Sequence, residues 1–121
     1  MKKMLLLVMF VAGLFGVEYK CVSTQKQVND EMIDWKYKDK MLVIEDEHKV
    51  KIAITDGTKS ATGICYNTGE KLKVGKSNYK KYKNSDIIVY VSESEIKNGI
   101  YVISIKTPES MEGFACMKSS N

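Results

Sequence analysis

The sequence predicts an all-β domain of about eight strands, a small antiparallel meander closed as a barrel or folded as a sandwich. Three observations predict it. Apolar residues alternate with polar ones at period two far more often than at the helical period. The alternating segments are short and recur along the whole chain between turn signals. Gly57, Gly69, Gly75, Gly99 and Gly113 fall between these segments, where a turn needs their backbone freedom.

The elements follow in order. Val17 to Val22 is the first strand, with Val17, Tyr19 and Cys21 on one face. Residues 26 to 33 are the one credible helical site, because Val28, Met32 and Trp35 recur at helical spacing with Asn29 or Asp30 as a cap. Ile33, Trp35 and Tyr37 then alternate with Asp34, Lys36 and Lys38 as a strand. Met41 to Asp46 and Lys49 to Thr55 follow, and Lys38-Asp39-Lys40 and Asp46-Glu47-His48 are short enough to be hairpin turns. Further strands are expected at Ser60 to Tyr66, Ile87 to Val91, Ile100 to Ile105 and Phe114 to Lys118. The segment at 87 to 91 is apolar on both faces, which implies a place at the centre or under a loop. Residues 75 to 85 read as one long loop. Pro108 precedes the last strand, where no ladder donor is lost.

The N-terminus carries a different signal. Lys2 and Lys3 form a basic head before an apolar run from Met4 to Phe15 that ends at Gly16, the pattern of a secretory signal peptide. Twelve residues of helix span about 18 Å, short of the roughly 30 Å hydrocarbon core, which disfavours a stable membrane anchor. Cleavage after Gly16 is expected, with Gly13 as the alternative, leaving a single β domain over residues 17–121 in the periplasm or outside the cell. Glu18, Tyr19 and Lys20 lack the small residues of a lipobox, so Cys21 is not read as a lipidation site.

Nineteen basic residues, all lysine, stand against fifteen acids, for a net charge of +4. Without residues 1–16 the net charge is +2. Lys71, Lys73, Lys76, Lys80, Lys81 and Lys83 lie close together, leaving −4 on the rest of the mature chain. This segregation argues against global attraction to nucleic acid while allowing a local basic patch. With Tyr79 and Tyr82 interleaved, such a patch can hold an anionic polymer or steer an acidic partner. A solvated loop is the ordinary reading.

Cys21 on the first strand and Cys116 on the last are expected to pair, because the terminal strands of a closed barrel are neighbours and an exported chain meets an oxidising compartment. Cys65 is then left over, read as a buried small hydrophobe with a reactive or intermolecular thiol as the alternative. His48, the only histidine, sits in the acidic turn Glu45-Asp46-Glu47-His48, and no His or Cys spacing indicates a metal site. No nucleophile-and-base signature is present, so the chain is read as non-catalytic and without a cofactor.

The segment Ser60-Ala61-Thr62-Gly63-Ile64-Cys65-Tyr66 resembles the Ser-Ala-Ser-Gly-x-x-Tyr motif of the periplasmic and membrane-bound inhibitors of c-type lysozyme. Tyr19-Lys20-Cys21 and Cys116 match that family's first strand and late cysteine. The resemblance implies an exported bacterial β-barrel whose Ser before the Gly, here Thr62, enters the lysozyme cleft together with a downstream lysine. The family's downstream Trp-x-Lys-Gly has its nearest counterpart in Gly75-Lys76, reversed and without Trp. Gly63 lies inside an expected strand, which marks a bulge, a bend or a close approach of another backbone.

The sequence thus implies an exported barrel that binds a protein partner, in its sharpest form a lysozyme inhibitor using Ser60, Thr62, Gly63, Tyr66 and Lys76. The alternative is a small-ligand carrier with a lipocalin-like interior lined by Trp35, Tyr37 and isoleucines.

Overall fold

A computed structural model of the chain describes residues 16–33 and 38–119. The expected signal peptide, and the expected strand residues Trp35 and Tyr37, lie outside the described residues. Among the described residues nine strands run in order: β1 (Val17–Val28), β2 (Glu31–Ile33), β3 (Lys40–Glu45), β4 (Lys49–Thr55), β5 (Ser60–Val74), β6 (Ser77–Lys83), β7 (Ile88–Ser92), β8 (Tyr101–Lys106) and β9 (Ser110–Lys118). All pairings are antiparallel. β1 and β3 to β9 form a meander that closes when β9 pairs with β1, giving an eight-stranded barrel, and β2 is an extra strand on the far end of β1.

The turns are closed by the side chains that open them. Asp46 Oδ1 accepts from the backbone N–H of His48 and Lys49, Asp56 Oδ1 from Thr58 and Lys59, and Asn84 Oδ1 from Asp86 and Ile87. Thr107 Oγ1 does the same for Glu109 and Ser110. A short polar side chain thereby replaces backbone partners that the ladder cannot supply at a corner. These bonds hold the Asp56 carboxyl down at about 2, with the Lys59 N–H the largest cause.

Two expectations are corrected. Residues 26–33 are a hairpin rather than a helix: Lys26, Gln27 and Val28 pair with Ile33, Met32 and Glu31. Asn29 and Asp30, at φ 50° and 66°, form its corner. Two successive positive φ values are the geometry that a right-twisted two-residue hairpin requires, and Asn and Asp tolerate them best after Gly. Residues 75–85 are likewise not a loop. β5 runs on to Val74, turns at Gly75-Lys76 and returns as β6, which pairs with β7 from Tyr79 to Lys83.

The inward positions fill the barrel. Tyr19, Met41, Val43, Val50, Ile52, Tyr82, Val89, Val91, Ile103, Ile105 and Phe114 form one buried cluster with all three cysteines. An eight-stranded barrel is just wide enough for its own side chains. A ligand inside it would have to displace them. Cys21 and Cys116 face each other in the β1–β9 register and form a disulfide across the closing seam, while Cys65 is a buried free thiol.

Candidate functional site

Ser60, Thr62, Ile64 and Tyr66 alternate along β5, so all four point outward from the barrel. All four are exposed, Tyr66 to 58%. Their neighbours on β4 and β3 make that face unusually apolar. Ala53 and Leu42 continue the row from Thr62, and Lys51 and Ile44 continue the row from Ile64. A shallow hollow of about 590 Å³ lies over this surface, lined by Leu42, Ile44, Ala53, Thr62 and Ile64 among others.

Gly63 is neither a bulge nor a point of close approach. It pairs with Ile52 in an unbroken register, and a Cβ there would sit 3.8 Å from Ile52 Cγ1, an ordinary contact. The irregularity in β5 falls later, between Asn67 and Lys71, where Gly69 takes φ +80°.

Lys76 and Thr62 are at opposite ends of β5. Lys76 occupies the turn beyond Val74, at the tip of the β5–β6 ribbon, whose β6 strand also pairs with β7 from Tyr79 onward. At about 3.3 Å per residue, the twelve residues from Thr62 to Val74 span roughly 40 Å of strand before bending. The cation beside Thr62 is instead Lys51, exposed on β4 and a diagonal neighbour in the register. Sequence reasoning missed it because its nearness to Thr62 exists only across the ladder.

The lysines at 71 to 83 do not form one patch, because strand pairing sends them to both faces of the ribbon. Lys71 lies opposite Lys80, whereas Lys81 and Lys83 point the other way. Three are engaged: Lys71 with Glu93 at 2.9 Å, Lys80 with Glu45 at 2.6 Å and Lys81 with Glu70 at 3.1 Å. Lys73, Lys76 and Lys83 are exposed and have no ion-pair partner among the described residues. Tyr79 is half-buried beside Leu72. Tyr82 is fully buried, so it is withdrawn from any stacking surface.

Tyr82 serves a second site, at one end of the barrel. Its hydroxyl donates to Glu45 Oε2 at 2.5 Å, Lys80 Nζ meets the same oxygen at 2.6 Å, and the Tyr19 hydroxyl donates to Oε1 at 3.4 Å. Glu45 is only 4% exposed, and a carboxylate at that depth needs such partners to offset its lost hydration. Burial first, then the adjoining Glu45 carboxylate, hold both tyrosine hydroxyls far above their usual range. The hub joins β1, β3 and β6 and uses every polar group it contains. It is a polar plug for the barrel end, with His48 exposed in the turn beside it.

Among the described residues no group of His, Cys, Asp or Glu is arranged to hold a metal ion, and no helix is long and apolar enough to cross a membrane. The class the structure defines is a closed, disulfide-bridged antiparallel barrel with a filled interior and a partly apolar outer face. Comparison with protein-family models, curated proteins and solved structures finds no significant match.

Proposed function

We propose that this chain is exported, loses its first sixteen residues, and binds a protein partner without catalysis through the outer face of β5 and β4. The observation that carries the reading is the outward row Ser60, Thr62, Ile64 and Tyr66. It sets hydroxyls beside exposed apolar side chains on a rigid ladder, the mixture that a binding surface needs. The disulfide fits the oxidising compartment that this route implies.

In its sharpest form the partner is a c-type lysozyme, whose catalytic carboxylates would accept a hydrogen bond from Thr62 and a charge-assisted one from Lys51. The test is a titration of c-type lysozyme against its cell-wall substrate. Micromolar protein inhibits, and Thr62→Ala and Lys51→Ala each weaken inhibition. Full lysozyme activity at micromolar protein refutes the lysozyme form, and mass spectrometry of the exported chain separately tests whether it begins at Val17.

A further inference from the structure

A second surface adjoins the β5 row and shares Ser60, Ala53 and Leu42 with it. The outer face of β9, β1, β3 and β4 holds a groove of about 720 Å³. Two adjacent rows cross its floor: Met117, Lys20 and Leu42 are successive partners in one, and Ala115, Val22 and Lys40 in the next. Lys20 and Lys40 therefore stand at diagonal corners of a square whose other corners are Val22 and Leu42. Such diagonal residues lie about 7 to 8 Å apart, within joint reach of one small anion. Among the described residues they are the only charged ones lining the groove. Both are exposed, and neither has an ion-pair partner among the described residues. Around them the surface is apolar where an outward sheet face is ordinarily polar, with Leu42 38% and Met117 60% exposed.

A molecule that satisfies both features carries one negative group and a slender apolar body. We propose that the groove binds a single-chain anionic amphiphile of the fatty-acid type, its carboxylate held between Lys20 and Lys40 and its chain laid over the apolar floor. The volume lies in the range of small-molecule sites. From the lysine pair on β1 and β3 the groove runs two strand spacings, about 10 Å, to Ser60 on β5, so an acyl chain held by its carboxylate has an apolar path to follow. The site lies outside the filled barrel and does not depend on the lysozyme reading.

Calorimetric titration of the full exported chain with dodecanoate, below its micelle concentration, tests the proposal. Dodecanoate binds. Lengthening the chain from octanoate strengthens binding by about two- to fourfold per methylene until the groove is full. The double variant Lys20→Gln with Lys40→Gln weakens dodecanoate roughly tenfold and leaves dodecanol unchanged. Leu42→Asp abolishes binding, whereas Lys106→Gln, an exposed lysine outside the groove, leaves it intact. All these positions are exposed, and circular dichroism checks the fold of each variant. The proposal is overturned by absence of dodecanoate binding, by equal affinity in the double variant, or by equal affinity for dodecanol. Attachment to phosphatidylglycerol vesicles without binding of monomeric dodecanoate also overturns it, by assigning the face to a membrane surface.

Discussion

Replacing Tyr82 by Phe removes one oxygen from the barrel-end plug and leaves the ring in place. The hydroxyl is fully buried and donates to a buried carboxylate at 2.5 Å. Hydrogen bonds to charged groups contribute about 1.5 to 3 kcal/mol, and Lys80 and Tyr19 remain on Glu45, so a loss of about 2 kcal/mol is expected at pH 7. The pH dependence is a second, independent consequence. Below about pH 10 the phenol is protonated in both folded and unfolded chains, and it contributes no slope. Above pH 10 the unfolded chain releases that proton while the folded chain, whose hydroxyl is held far higher, retains it. The folded state then binds more protons, and stability falls as pH rises, by up to about 1.4 kcal/mol per pH unit for this one group. Tyr82→Phe lacks this component. Urea unfolding of both proteins at pH 7, 10 and 11 should show the variant less stable at neutral pH and the gap narrowing by about 1 kcal/mol toward pH 11. A neutral-pH difference under about 0.5 kcal/mol, or a gap that stays constant with pH, would refute this account of the plug.

Three other outcomes are expected. Reducing the Cys21–Cys116 bond releases a loop with a sequence separation of 95, and the chain-entropy relation gives a loss of about 4 to 5 kcal/mol, measured as the shift in urea midpoint with and without reductant. Cys65 is buried, and burial pushes its thiol up, so native protein does not react with a thiol reagent while the urea-unfolded chain shows one reactive thiol. Phe114→Ala empties a position only 1% exposed at the centre of the core and costs about 3 to 5 kcal/mol by thermal or urea unfolding.

The strands most legible in the sequence are those with one wet and one buried face. Val50, Ile52 and Ile54 alternate because every second side chain enters the barrel, and the Cys21–Cys116 pairing followed from closure. β6 was illegible because its inward series is Lys80 and Tyr82, a lysine whose charge is answered by Glu45 and a phenol that ends on the same carboxylate. Local polarity therefore suggested a loop where tertiary partners make a strand. Residues 26 to 33 misled for a different reason: Val28 and Met32 are spaced as on one helix face, but Val28 pairs with Glu31 and Met32 with Gln27, so across the Asn29-Asp30 corner the two point to opposite faces. At the candidate site the motif named Ser60, Thr62 and Tyr66, but not Ile64 or the apolar neighbours Leu42, Ile44 and Ala53 that share their face. Lys51, eleven residues earlier, and the Glu45 plug, whose tyrosines come from 26 and 37 positions away, exist only once the strands are in register.

The disulfide lies on the seam where the meander meets itself, so the bond and the chain between Cys21 and Cys116 make a covalent ring. Every turn from β3 onward belongs to that ring. A protease that cuts once at Gly57, Gly75 or Asn98 opens the circle without releasing a piece: the product keeps one molecular mass until the bond is reduced, and each half remains held at the seam beside the strand it must pair with again. The same circularity means that the natural termini are only one of several places where this barrel can begin and end.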